Sequence, residues 1–506
     1  MDILAPIIPV LSVEEAAKFR LSMGSSKRLA KERKLFELLT SAELYDAHEC
    51  AHIIYRGPVK NLDAYQSLRG RLLQSLAEYV AEQRQYIRHT PKAEIFVYLH
   101  MAEFLIEKNC GDPALHFLQK AEDIADFIRH YEFRHLIYRL KIENAALLGC
   151  DIEDIAHKWD LNGRRLGMYR HLVITSARAR KVLEQSRLTG VVVDPNEVMA
   201  QTFSKISLDV EEANDPNYLL AIAQAVRSVF IPTKNYQRID AFVSRYYNRI
   251  LSHSGFGPAD RDVQVSFLYM LAHARFRNRL FDSSEQLLNE MEALLPGNAF
   301  SAHPYYAKAI SLRATLMSYT HRVNEAIALM TTVIDPAKKR SYITDRKERY
   351  NVRLNLAVAH FHENDFRKAF KTIQLMGHKD AWLGKHLGRE WLYKKQLIEL
   401  IIQVELGRAD VATAILRHIR GEYSDFLSQP IYQRAAQFMD FVALYLDDPN
   451  MVTTPEFQQK VKAAGLGWGD MEDVQAITFF CWLRSKMTGK PYYEVLLERL
   501  AEEVEI

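Results

Sequence analysis

The stretch NLAVAHFHENDFRKAFKTIQLM, residues 355–376, predicts two helices that cross at small side chains. Polar residues at 363–365 interrupt a helical pattern of apolar residues, which indicates a short turn. Ala357 precedes this turn, Phe366 follows it directly, and Ala369 lies three residues further on. Because antiparallel helices approach each other closely only where side chains are small, the stretch predicts a tightly packed helix pair.

The same spacing recurs along the chain. The small residue after the turn is Ser284, Ala326, Ala369 and then Ala412, at intervals of 42, 43 and 43 residues. A period of this length indicates a stack of helical repeats, in which each repeat buries its apolar face against the next one. An irregular helical bundle with coincidental spacing is the alternative.

This pattern resembles the tetratricopeptide (TPR) motif, with each helix lengthened by about one turn, or roughly 4 residues. Ala357 and Ala369 match the two small crossing positions of that motif, and Phe366 matches its turn aromatic. The large aromatic expected early in the first helix is instead Ile310 in one repeat and Arg353 in another. The resemblance implies an all-α fold, a right-handed α-solenoid of TPR-like antiparallel helix pairs with a helical N-terminal cap.

Four regions follow from where the repeat pattern begins and ends. Residues 1–95 lack the pattern and are interpreted as a helical cap, because the end of a solenoid must be sealed. A helix-turn-helix module is the alternative for this region. The other three regions are a first helical-repeat segment, the TPR-like array and the closing helices, at residues 96–190, 191–460 and 461–506.

Composition indicates which classes of protein to expect. The chain has 506 residues, of which 48% are apolar, and its 66 Lys and Arg nearly balance 63 Asp and Glu. A net charge of +3 gives no overall preference for nucleic acid or an anionic membrane. Four scattered cysteines are typical of a protein in a reducing compartment. The chain has no run of 18 apolar residues, so the sequence predicts no membrane-spanning helix. We therefore expect a cytoplasmic protein.

One short motif suggests a metalloenzyme. His48, Glu49 and His52 have the H-E-x-x-H spacing of zinc peptidases, with the two histidines one helical turn apart. However, no strand is predicted before this motif, and no third ligand stands out, since Glu78 and Glu82 on the next helix are of a residue type common on any helix. The zinc peptidase is therefore the less favoured interpretation. We expect no enzymatic activity, no metal and no cofactor.

The resemblance also implies a binding surface. TPR repeats line a concave groove with their first helices, so we expect a non-catalytic scaffold that binds a protein or peptide partner. Basic residues in such a groove favour an acidic segment or a C-terminal carboxylate, and the alternative is that they are simply solvated. The partner-binding positions carried over from the motif are His273, Phe276, Arg277, Lys308, Ser311, Tyr319, Asn351, Phe361, His362 and Lys394.

A transcriptional regulator is the alternative function. In that case an N-terminal helical module contacts DNA and the repeat array senses a peptide or protein. Basic stretches at residues 163–190 and 338–353 also contain tyrosines, as nucleic-acid surfaces do, but a charged run is more often a solvated face. Nucleic acid is therefore not the expected partner. The candidate phosphate-facing residues are Arg56, Lys60, Arg69 and Arg71.

Overall fold

The structure is a computed structural model. Arg56 and Lys60 lie outside the residues that it describes. Those residues are 4, 8, 13–23, 29–40, 47–55, 57, 62–86, 90–189, 191, 194–203, 215–253, 255–295, 297, 300, 301, 303–335, 337, 338, 342, 343, 345–377, 380–464 and 474–501.

Within these ranges every regular element is a helix, which confirms the all-α fold class. The chain forms two compact units, residues 1–166 (unit 1) and 167–506 (unit 2). The boundary falls inside one long helix, α9, which spans Ile152–Thr189. In the part of the chain that is described, no helix is both long enough and apolar enough to cross a membrane.

Unit 1 contains two groups of helices with separate apolar cores. Phe19, Leu35 and Tyr65 are buried in the first core, and Leu99, Ala114 and Leu118 in the second. The first group is α1 (Val13–Ser22), α2 (Ala30–Thr40), α3 (Ala47–Tyr55) and α4 (Asp63–Tyr86), and the second is α5 (Pro91–Glu107), α6 (Gly111–Phe127), α7 (Tyr131–Glu143) and α8 (Ala145–Leu148).

Unit 2 has a buried apolar cluster that runs from Leu172 on α9 to Leu496 on its last helix. A continuous core of this kind forms when consecutive helices each pack on the next. The helices are α10 (Pro195–Phe203), α11 (Pro216–Phe230), α12 (Tyr236–His253), α13 (Arg261–Arg277), α14 (Phe281–Leu294), α15 (Tyr306–Tyr319), α16 (Val323–Ile334), α17 (Arg346–His362), α18 (Phe366–Gln374), α19 (Asp380–Leu387), α20 (Arg389–Glu405), α21 (Ala409–Glu422), α22 (Ser424–Leu427), α23 (Gln433–Asp447), α24 (Pro455–Ala463), α25 (Val474–Thr488) and α26 (Tyr492–Ala501).

Small residues lie where neighbouring helices of unit 2 cross. Ala357 on α17 and Ala369 on α18 are both 0% exposed. At the crossing of α13 and α14, the Ser284 hydroxyl donates a hydrogen bond to the Ala272 carbonyl oxygen at 2.8 Å. A side chain can hydrogen-bond to the backbone of a neighbouring helix only where the two helices lie close together. Small residues such as alanine and serine therefore occupy these positions.

The turns between these helices share one backbone conformation. Arg279, His321, Asn364 and Gly407 each adopt a left-handed conformation with φ between 56° and 71°. The next amide in each turn bonds back five residues into the preceding helix, as Asp365 does to the His360 carbonyl at 2.9 Å. This bonding satisfies carbonyls that the helix end leaves free. The four turns are 42, 43 and 43 residues apart, the same period as the small residues.

The last helix of unit 2 packs on helices far from it in sequence. The Tyr493 hydroxyl on α26 donates a hydrogen bond to the Ser318 carbonyl on α15 at 2.8 Å, across 175 residues of chain. The Tyr492 ring contacts the Phe361 ring on α17 with centroids 5.2 Å apart. The C-terminal helices therefore close over one side of the repeat helices α15 and α17.

Candidate functional site

A cavity of about 480 Å³ lies in unit 2 between helices α15, α17 and α20 and the C-terminal helices. This volume is within the range of small-molecule pockets. We call it the inner cavity. Its wall comes from the α11–α12 turn and from α15, α17, α20, α23, α25 and α26, and includes Lys234, Thr315, Tyr319, Asn355, Val358, Phe361, Tyr393, Lys394, Tyr432, Arg434, Phe438, Trp482 and Tyr492.

Helical periodicity explains which side chains reach the cavity. On α17, Asn355, Val358 and Phe361 recur at intervals of three residues and so lie along one face. On α20, Lys394, Leu397 and Ile401 do the same at intervals of three and four. The neighbouring residues Leu354 on α17 and Tyr393 and Ile398 on α20 also reach the cavity, so both helices present a mainly apolar face to it.

The charge of the cavity wall is positive. Among the described residues that line it, Lys234, Lys394 and Arg434 are cationic and none is acidic. The Lys234 ammonium lies 5.6 Å from the centroid of the Tyr432 ring, and Arg434 is exposed. Lys394 is partly neutralised by an ion pair with Glu390, whose Oε1 is 2.9 Å from its Nζ. The wall would attract an anion.

The interior of the cavity is aromatic and includes a hydroxyl with unused bonding capacity. Trp482 is 1% exposed and is held by a hydrogen bond from its Nε1 to Glu405 Oε1 at 2.5 Å. Tyr393 is 3% exposed, and its hydroxyl has no hydrogen-bond partner within the described part of the chain. Burial raises the pKa of Tyr393 above its usual range, so the hydroxyl stays protonated and can donate.

A polar bridge fixes the position of Asn355 at the cavity wall. Its Nδ2 donates to the Thr315 hydroxyl at 3.0 Å and to the Ser311 hydroxyl at 3.2 Å, both on α15. The Asn355 side chain therefore ties α17 to α15 across successive repeats. Ser311 was one of the predicted partner-binding residues, and here it acts as an acceptor for this bridge.

His362 lies behind the cavity wall in a pocket of tyrosines. It is 2% exposed, and its ring centroid is 5.7 Å from those of Tyr319 and Tyr492 and 5.1 Å from that of Tyr493. Neither ring nitrogen has a hydrogen-bond partner among the described residues. Burial lowers the pKa of His362 from its ordinary value near 6.5 to about 3, so the ring is neutral near pH 7.

Three of the ten predicted partner-binding residues line the inner cavity, namely Tyr319, Phe361 and Lys394. Asn351, on the same helix as Phe361, instead accepts a hydrogen bond from Trp391 Nε1 at 2.8 Å.

The remaining predicted residues on earlier helices are not among those that line the cavity. Phe276 is 3% exposed and packs on the Tyr319 ring, with centroids 5.8 Å apart. Arg277 is 8% exposed, and its guanidinium lies 4.7 Å from the centroid of the Tyr236 ring. The His273 ring also contacts Tyr236, at 5.6 Å. Lys308 is exposed, with its Nζ 5.5 Å from the centroid of the Tyr305 ring.

The H-E-x-x-H motif lies on the helix α3. Both His48 and His52 are exposed, whereas Cys50, Ala51 and Ile54 form the buried face of the helix. Within the described residues, no group of three or more His, Cys, Asp or Glu side chains is arranged to hold a metal ion.

Two of the basic residues proposed to face DNA lie on α4. The Arg71 Nε is 2.9 Å from the Oε1 of Glu32, which is 3% exposed, so Arg71 joins α4 to α2. Arg69 donates a hydrogen bond to Gln66 Oε1 at 3.0 Å. Contact with DNA by these residues stays a prediction.

Several residues of the inner cavity were missed by sequence reasoning. Tyr432, Arg434, Phe438 and Trp482 come from C-terminal helices, where the repeat spacing has ended. Asn355 could have been found, because it lies one helical turn after Asn351 on the same face of α17. No local pattern indicates that the C-terminal helices return to α15 and α17.

Comparison with protein-family models gives no match for the chain, and no curated protein has significant sequence similarity to it.

Proposed function

We propose that the protein is a non-catalytic helical-repeat scaffold with TPR-like helix pairs, which binds a protein or peptide segment in its inner cavity. The observation that carries the proposal is the combination of an aromatic interior with Lys234, Lys394 and Arg434 and no acidic residue among the described lining. A segment with a bulky apolar side chain beside an acidic group complements that wall in shape and in charge.

The regular repeat supports this proposal. Four left-handed turns and four small crossing residues share one period, and such stacked pairs form concave surfaces suited to extended partners. The cavity is smaller than an open groove because α26 packs against α15 and α17. The ligand segment is therefore short, with one or two side chains inserted.

The charge of the site can be tested with a display library of random peptides. A variant with Lys234, Lys394 and Arg434 all changed to Gln removes the three cations of the wall. Wild-type protein should enrich peptides that combine acidic and bulky apolar residues, and the variant should not. Binding of the selected peptides should weaken as added salt shortens the Debye length from ~10 Å at 0.1 M to ~3 Å at 1 M.

The matched control variant changes three exposed cations of unit 2 that do not line the cavity, so its net charge changes by the same amount. Lys308, Arg417 and Lys460 meet this condition, and their triple Gln variant should enrich the same peptides as wild type. Arg277 is left unchanged in both variants because it is buried. Equal enrichment by both variants would exclude the cavity as the binding site.

The insertion of a side chain into the inner cavity can be tested separately from the charge of the cavity wall. Val358 is half-buried on the cavity wall, between Asn355 and Phe361. The Val358→Trp side chain would occupy space in the cavity without changing its charge. The selected peptides should lose affinity for this variant while its circular dichroism stays that of wild type. Unchanged affinity in a folded variant would contradict insertion of a side chain into the cavity.

A further inference from the structure

Helix α5 in unit 1 carries an exposed apolar stripe. Val97 is 58% exposed, Met101 39% and Phe104 53%. The opposite face of the helix buries Ile95 and Leu99 in the core of unit 1. Large apolar side chains that lie together on a surface mark an interaction site.

Charged residues extend this stripe at both ends. Glu94 lies three residues before Val97. Lys108, the residue that follows the last helical residue Glu107, lies four residues after Phe104, with its Nζ 5.8 Å from the centroid of the Phe104 ring. The intervals from Glu94 to Lys108 are therefore three, four, three and four residues, the spacing of a coiled-coil seam. Both charged residues are exposed. The stripe thus has a negative end, an apolar middle and a positive end.

The two charged ends of the stripe are equidistant from Met101. Glu94 and Lys108 each lie seven residues from it, which is about 10.5 Å along the helix axis. A second α5 placed antiparallel, with a two-fold axis at Met101, brings Glu94 of each copy opposite Lys108 of the other. A parallel arrangement would instead place like charges together at both ends. Only the antiparallel pair is complementary in charge.

We propose that this stripe is a homodimer interface, in which α5 packs antiparallel on α5 of a second copy of the chain. Self-complementarity of one surface about a two-fold axis is the property that an isologous interface requires. A different partner would not require Glu94 and Lys108 to be equidistant from the centre. In an antiparallel pair the two helix dipoles point in opposite directions, which also favours this arrangement.

The interface is small. One helical face provides less than the ~800 Å² per partner that typical stable complexes bury. We therefore expect a reversible dimer whose population depends on protein concentration. Sedimentation velocity of the full chain at increasing concentration measures this directly. A wild-type chain that stays monomeric at the highest concentration overturns the proposal.

Charge reversal tests the direction and register of the pair. Glu94→Lys or Lys108→Glu alone creates two repulsive contacts per dimer and should raise the dissociation constant roughly three- to thirtyfold. The double variant Glu94→Lys with Lys108→Glu restores both attractive contacts and should return the constant to that of wild type. If the double variant is as weak as the single ones, the antiparallel register is wrong.

The apolar middle is tested by Met101→Glu, which places two carboxylates at the two-fold axis and should abolish the dimer. The matched control is Phe127→Glu, because Phe127 is 56% exposed on α6 of the same unit and lies outside the stripe. Circular dichroism should show both variants folded. A dimer that survives Met101→Glu, or that is lost equally in Phe127→Glu, contradicts the assigned surface.

Discussion

At the scale of single residues, His362 has the environment with the clearest consequence. Its ring lies among Tyr319, Tyr492 and Tyr493, and no charged group contributes to its pKa, which burial alone lowers. The unfolded chain binds a proton at this position near pH 6.5, and the folded chain does so only near pH 3. Stability is therefore lost as the pH falls below the unfolded-state pKa.

This predicts that His362→Phe becomes relatively more stable than wild type in acid. One proton taken up only on unfolding changes the free energy of unfolding by about 1.4 kcal/mol per pH unit. The stability difference between variant and wild type should then be about 2 kcal/mol larger at pH 5 than at pH 7.5. Urea unfolding followed by circular dichroism at both pH values measures it.

His362→Gln serves as the control for packing. It also removes the titrating ring but fills the tyrosine pocket less well, so its stability should be lower than that of His362→Phe at every pH. Its pH dependence should nevertheless match that of the Phe variant. If the free energy of unfolding changed with pH in the same way for wild type and both variants, His362 would not be the group responsible for the loss of stability in acid.

At the scale of helices, the small residues at the helix crossings mark the repeat. The crossing of α17 and α18 was predicted from Ala357 and Ala369 alone, and both are fully buried there. The left-handed turns were not predicted, because Arg279, His321 and Asn364 are not glycine, the residue that most often marks this conformation. Bonds to the preceding helix and the packing of both helices hold these residues in place.

The helix crossing predicts a specific effect of Ala369→Leu. The added side chain has no free space at 0% exposure, so it should force α17 and α18 apart and cost about 1–3 kcal/mol. Ala409→Leu is the control, because Ala409 opens α21 and is exposed. Thermal unfolding should show a lowered midpoint for the first variant alone. An equal midpoint for Ala369→Leu and wild type would mean that the crossing is placed wrongly.

At the scale of the whole chain, the continuous core of unit 2 makes its inner repeats indispensable. Helices α13 and α14 supply Phe267, Leu268 and Leu288 to the cluster that extends to Leu496. Deleting residues 260–300 should therefore give insoluble protein, since it leaves two repeat faces uncovered. Ending the chain at Gly489 removes only α26 and should give soluble protein with a lower melting temperature.

Both shortened proteins are judged by the soluble fraction after expression and by thermal unfolding. The truncated chain also uncovers Phe361 and His362, which α26 contacts, so its loss of stability should be measurable. A soluble, cooperatively unfolding protein without residues 260–300 would argue against a continuous stack.

The all-α class and the period of 42 to 43 residues could be predicted from the sequence, because small residues at helix crossings and polar breaks between helices are local signals. Of the ten partner-binding positions predicted from the TPR resemblance, Tyr319, Phe361 and Lys394 line the inner cavity, and their role in binding stays a prediction. Only the tertiary structure decided that Arg277 is buried and that Trp482 and Arg434 complete the cavity wall. Arg277 is covered by packing on Tyr236 of α12, whereas the cavity forms where the C-terminal helices meet α15 and α17, as in the bond from Tyr493 to Ser318 across 175 residues. Contacts so distant leave no periodic trace in the sequence.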